Sequence, residues 1–174
     1  RRSVNLKRDP RHLISAATSF DMNTPDQYVV MSLDEQRYAL PLAVVKRVVR
    51  VVEVSALPKT PPVILGVINV EGAVIPVINL RRRFRLPERE ARLSDQLVVA
   101  ATGQQTVAIW VDAVIGVVER SPSEIVSAER IFPGLDYLKS VAKLTDGMMF
   151  IQDLGTFLTG EEEEALRAAV RSGS

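Results

Sequence analysis

Two stretches of this chain, DQYVVMSLDEQRYALPLAVVKRVVR at residues 26–50 and DQLVVAATGQQTVAIWVDAVIGVVE at residues 95–119, align without a gap at an offset of 69 positions. Asp26, Gln27, Val29, Val30, Gln36, Ala39, Val45, Val48 and Val49 meet identical residues at 95, 96, 98, 99, 105, 108, 114, 117 and 118. That is far more agreement than this composition gives by chance. A second echo has a slightly different offset and sets Ile75-Pro76-Val77-Ile78-Asn79-Leu80 on Met149-Phe150-Ile151-Gln152-Asp153-Leu154. The order is the same in both halves: hairpin, short helix, strand, loop, then a strand ending in Asn-Leu or Asp-Leu. Repetition of this kind marks a duplicated structural unit. We therefore expect two similar β units, about 26–84 and 95–158. Units so small bury little surface alone, so they should pack on each other.

Within the first unit, Tyr28 to Leu33 reads as a strand, Asp34-Glu35-Gln36 as a turn and Arg37 to Leu40 as the returning strand. Pro41 to Val45 suits a short helix with Pro at its first position, and Val48 to Val54 reads as a strand. Pro58, Pro61 and Pro62 rigidify a loop. Glu71-Gly72, between Gly66–Val70 and Ala73–Ile78, looks like a tight hairpin turn with Gly where positive φ is needed. Valine and isoleucine together make a fifth of the chain, and β-branched side chains suit a pleated surface. Many short strands point to barrels or sandwiches rather than a βαβ fold. The C-terminus differs. Thr159-Gly160-Glu161-Glu162 is a capping box, four glutamates suit the positive end of a helix dipole, and Ala165, Leu166, Ala169 and Val170 form one apolar stripe. We expect an amphipathic helix over about 160–171, docked on the β structure. Residues 1–25 read as a flexible extension.

Composition excludes much chemistry. At 174 residues and 47% apolar, the chain has ample material for a core, in one domain or two small subdomains. There is no cysteine, which removes disulfides, thiolate metal sites and Cys nucleophiles. The one histidine, His12, lies in the basic extension beside no orienting carboxylate and reads as a solvated tail residue. No Gly-rich phosphate loop is present. Asp112 and Asp153 sit at strand ends, where short polar side chains usually bond the local backbone. Trp110 and Met148–Ile151 read as core. No catalytic residue, metal ligand or cofactor is expected. The apolar runs are too short or too interrupted for a spanning helix or a signal peptide, so a cytoplasmic location without direct membrane contact is expected.

Two features argue for binding. Arg81, Arg82, Arg83, Arg85, Arg89 and Arg92 crowd one connector around Phe84, and small barrels can use basic and aromatic surfaces for nucleic acid. The overall balance of 22 basic to 21 acidic residues, the few aromatics and the diluting Glu88 and Glu90 favour a solvated loop instead. The second feature is apolar. Gly66 to Gly72 is too apolar for a solvated hairpin end, and Leu42, Val44 and Val45 add to it. Such a patch marks a protein–protein site or a buried contact between the two units, and both remain open.

Pro62-Val63-Ile64-Leu65-Gly66-Val67-Ile68-Asn69-Val70-Glu71-Gly72-Ala73-Val74-Ile75-Pro76-Val77-Ile78-Asn79-Leu80-Arg81, with Tyr38–Leu42, Val45–Val48, Asp146–Ile151 and Asp153-Leu154 in this order, resembles the chemotaxis coupling proteins of the CheW family over about residues 26–172. The resemblance implies two five-stranded SH3-like β-barrels and no catalysis. It implies a scaffold in chemotaxis-type signal transduction. Its partners would be the CheW-like regulatory domain of a CheA-type histidine kinase and the cytoplasmic tip of methyl-accepting chemoreceptors, and it would reach membrane receptor arrays only through them. Kinase and coupler would pack barrel to barrel, and the receptor hairpin would lie along the groove between a unit's barrels. The implied receptor-facing residues are Val45, Gly66 and Asn69. Arg47 is an implied partner-facing charge, and Glu71 and Gly72 belong to the same contact. One departure stands out: the family usually has Arg after the Asn-Leu pair, where this chain has Glu71, which reverses a charge. We expect a divergent coupler with altered partners. The competing expectation is a nucleic-acid-binding barrel using Arg81 to Arg92.

Overall fold

The structure is a computed structural model that describes residues 25–101, 105–135 and 138–172. The expected extension, His12 included, lies outside the described residues except for Pro25. The first half contains β1 (Asp26–Leu33), β2 (Gln36–Pro41), β3 (Val45–Arg50), β4 (Ile64–Val70), β5 (Ala73–Asn79) and a one-turn helix α1 (Leu80–Arg83). The second contains β6 (Gln96–Ala101), β7 (Thr106–Val111), β8 (Ala113–Arg120), β9 (Ile125–Ser127), β10 (Leu138–Leu144), β11 (Gly147–Gln152) and the helix α2 (Gly160–Ser172). The helix expected at Pro41 is only a 3-10 turn, Leu42–Val44, with Pro41 before it. The strand expected over Val48 to Val54 starts earlier, at Val45, and stops at Arg50.

The strands form two sheets. Sheet I runs β8-β1-β2-β11-β10-β9 and sheet II runs β3-β6-β7-β5-β4. Each sheet therefore takes strands from both sequence repeats. The first hairpin of one repeat, β1–β2, pairs with β8 and in parallel with β11, Phe150 opposite Tyr38. The equivalent hairpin, β6–β7, pairs with β3 and in parallel with β5, Val77 opposite Ala108. Neither repeat completes a sheet from its own strands. Exchanged hairpins satisfy the edges that each repeat would otherwise leave open.

Burial explains why the repeat is strongest in these hairpins. Val98, Ala100, Val107, Ile109 and Val111 face a core shared by the two sheets, with Met31, Leu33, Tyr38 and Leu40 opposite. Their alternate neighbours Leu97, Val99 and Ala108 fill the interior of sheet II with Ile68, Ile75 and Val77. Tyr28, Val30 and Ala39 fill the interior of sheet I with Met149 and Ile151. Strands buried on both faces read as continuous apolar runs, which is how VVA and VAIWV arise. Leu166 of α2, with Leu154, Phe157 and Leu158, seals the shared core.

Both sheets close on themselves. In sheet I the segment that forms one edge, β8, turns through Pro122–Glu124 and returns as the other edge, β9, pairing with β10. In sheet II the chain beyond β3 crosses to the far edge, and Ser55 and Val67 exchange hydrogen bonds of 2.9 Å. The result is a six-stranded and a five-stranded barrel rather than two of five, β8 and β9 counting as one bent strand in the first. The closure of sheet II depends on Gly66. Its φ is +152°, and a Cβ there would stand 2.2 Å from the Ser55 carbonyl oxygen.

Candidate protein-interaction site

The β4–β5 hairpin turns in two residues. Val70 pairs with Ala73, and Glu71 and Gly72 both take positive φ, +51° and +86°. Two such residues make the turn whose twist matches the flanking strands. Asn69 Oδ1 accepts from the Gly72 N–H at 2.9 Å and holds it. Glu71 receives Arg47 of β3 in a two-point ion pair, each contact 3.1 Å. The bonded Arg47 guanidinium keeps the Glu71 carboxyl below the usual carboxylate range. So the charge reversal at Glu71 is answered inside the chain. Of the six candidate residues, Arg47, Asn69, Glu71 and Gly72 meet at one exposed tip. Val48 and Val74, 38% and 58% exposed, lie on the same strands.

The other two candidates sit elsewhere. Gly66 is buried and makes the barrel closure just described. Val45 is half-buried against the shared core. Val114, its identical partner in the repeat, packs on that core in the same way. Sequence reasoning missed Val114 as a site residue, although the offset of 69 already paired it with Val45. The apolar hairpin is divided between the two open readings: Ile68 is buried in the barrel, while Leu42 and Val74 are exposed.

The arginine cluster has another role. Arg81, only 8% exposed, donates to Asp34 and Asp112 at 2.9 Å and to the Pro87 carbonyl at 3.0 Å. Arg89 bridges Asp95 at 2.7 Å and Asp112 at 2.5 Å. Trp110 Nε1 also donates to Asp95, at 3.1 Å. Hydrogen bonds from Arg81 hold the Asp34 carboxyl low. Burial pushes Asp95 up, but Arg89, the Arg92 N–H and Trp110 outweigh it, and its carboxyl also lies below the usual value. Arg82 pairs with Glu88, and Arg83 pairs with Glu162 of α2. Four of the six arginines thus serve internal ion pairs, three of them tying elements far apart in sequence. The expectation of a basic nucleic-acid face is corrected accordingly: the carboxylate partners sit too far along the chain for a sequence reading to find.

The strand-end and helix readings are found as expected. Asn79 Oδ1 accepts from the Arg82 N–H and caps α1, and Asp153 Oδ1 accepts from the Gly155 N–H. Thr159 and Glu162 form the capping box of α2. Asp112 and Asp153 therefore have separate partners. Among the described residues, no group of three or more His, Asp or Glu side chains is placed to hold a metal.

The family described as CheW-like domain matches residues 27–162. The chain is 29% identical over 147 residues to the chemotaxis protein CheW of Bacillus subtilis (strain 168), covering 83% of this chain and 94% of that protein. It is 25% identical over 146 residues to the chemotaxis protein CheW of Treponema pallidum (strain Nichols), covering 80% and 86%. Its structure is similar to the crystal structure of the scaffolding protein TtCheW from Thermoanaerobacter tengcongensis, with a TM-score of 0.72 and 29% identity over 79% of this chain and 95% of that one.

Proposed function

This chain belongs to the CheW-like domain family, and on that premise we propose that it is a non-enzymatic chemotaxis scaffold that joins a CheA-type histidine kinase to chemoreceptors. The observation that carries the reading is the exposed tip where Arg47, Asn69, Glu71 and Gly72 meet beside Val48 and Val74. An apolar surface rimmed by charge suits a protein partner. The kinase regulatory domain would pack on this tip, barrel to barrel. The receptor hairpin would follow the groove between the barrels, where Val45 and Val114 lie half-buried on the shared core. Among the described residues no helix is long and apolar enough to cross a membrane, so recruitment to receptor arrays would run through the partners.

Calorimetric titration with the isolated regulatory domain of the CheA-type kinase from the same cell, at two salt concentrations, tests this. Saturable binding is expected, of the modest affinity common in small signalling interfaces. Val74→Glu should abolish it while the protein stays folded, because Val74 is exposed. No binding to any such kinase would remove the assigned partner.

A further inference from the structure

A cavity of about 240 Å³ opens where β2 and β11 of sheet I meet the segment after α1. Its walls are aromatic. The Tyr38 and Phe84 rings stack with centroids 4.8 Å apart and planes 18° apart. Phe150 lies tilted against Tyr38 at 5.9 Å, and Phe132, 38% exposed, against Phe150 at 6.3 Å. Gln152, at the end of β11, also lines the cavity and is 1% exposed. Its Nε2 donates to the Phe150 carbonyl at 3.3 Å, while its Oε1 is buried and receives no hydrogen bond. Buried acceptors are nearly always paired, so an orphan among aromatic rings calls for a donor from outside the chain.

We propose that this cavity binds a small planar aromatic molecule carrying one N–H or O–H donor. The molecule's ring packs among Tyr38, Phe84 and Phe150, offset or edge-on, as aromatic pairs prefer. Its donor meets Gln152 Oε1 and completes the one polar group the cavity leaves unsatisfied. Size agrees: a dry cavity of about 150 Å³ admits benzene, and this one is larger, so a fused two-ring molecule fits. Because the walls come from sheet I and from the segment leaving sheet II, a bound molecule would brace the two barrels. The site is separate from the β4–β5 tip, so it does not depend on the scaffold reading.

The test is titration of the whole chain with indole and with 1-methylindole, followed by amide chemical shifts in nuclear magnetic resonance. Indole should bind with a Kd on the order of 0.1–1 mM, which suits so few atoms, with shifts centred on β2, β11 and the residues after α1. Methylation removes the donor and should weaken binding about fivefold or more. Gln152→Leu should erase the difference between the two probes while leaving the melting temperature unchanged or higher, since it removes an unsatisfied acceptor. Phe132→Ala, at a part-exposed wall, should weaken both probes and needs no core rearrangement. Equal affinity for the two probes, shifts elsewhere on the surface, or no saturable binding up to the solubility of indole would overturn the proposal.

Discussion

Barrel I closes along three residue pairs, Ser140 with Ser127, Val141 with Val126 and Ala142 with Ile125. Barrel II closes through one, Ser55 with Val67. The offset that sets Ile75 on Met149 also sets Gly66 on Ser140, each just after a register shift in its strand. So the same place in the two barrels holds a side chain in one and can hold none in the other. The exchanged hairpins, buried on both faces, stay alike; the closures and the hairpin tips, open on one face, have diverged. The tips differ too. Glu71 is held by Arg47 from β3, whereas Asp146 is held by Arg37 from β2. Duplication keeps what two-sided packing constrains and frees the surfaces where partners can be chosen.

The largest expected effect breaks the weaker closure. Gly66→Ser, which gives barrel II the residue of barrel I, should destabilise by about 4 kcal/mol or prevent folding, since both the backbone and the Ser55 carbonyl reject a Cβ. The reciprocal Ser140→Gly should cost about 1 kcal/mol. Urea midpoints of the two variants compare the closures directly, and equal losses would mean that the difference is only geometric.

Next comes the bond between barrels. Arg81→Met strips the shared partner from Asp34 and Asp112 and should cost about 3 kcal/mol, a fall in Tm of roughly 6–12 °C for a chain of this size. Differential scanning calorimetry would show it, and a split into two transitions would mean that the barrels then melt separately.

Acid should act on the same contacts more gradually. Asp34, Asp95, Asp146 and Glu71 all titrate lower in the folded chain. Each contributes stability present above the unfolded carboxylate range and lost as pH falls through the folded values. Tm should hold between about pH 7 and 5 and drop below about pH 4. Salt should mute the part owed to the exposed tip pairs and leave the part owed to the buried cluster between the barrels.

The smallest effect on stability belongs to Glu71→Arg. It sets two arginines together at the tip, leaves the fold intact, and should weaken the kinase partner about tenfold or more. Adding Arg47→Glu should recover most of the loss if the pair matters by its geometry. Recovery of nothing would show that the partner reads the sign of each charge. Unchanged affinity in the single variant would remove Glu71 from the interface.

Much of this was legible locally. The Glu71-Gly72 turn, the caps at Asn79 and Asp153, the Thr159–Glu162 box and most strands follow from short-range chemistry that a few neighbouring residues carry. The candidate site was legible in part. Asn69, Glu71 and Gly72 are joined by one turn, but Arg47 reaches them only across the barrel. Gly66 was singled out correctly as unusual, and the structure adds a reason: a crossing chain segment, which no neighbour in sequence announces. The arginine cluster misled because Asp34, Asp112 and Glu162 lie 47, 31 and 79 residues from their partners.

By itself the sequence determined that this protein is a duplicated β structure with a capped C-terminal helix, because periodicity, turn chemistry and repetition are properties of neighbouring residues. Only the tertiary structure decided that the two repeats trade their first hairpins. Backbone hydrogen bonds carry no label for their partner, so β2 could pair with any strand whose edge was open. The choice fell to β11, as that of β5 fell to β7, because this exchange buries both faces of the duplicated hairpins at once and builds three cores from strands that would otherwise have supplied two.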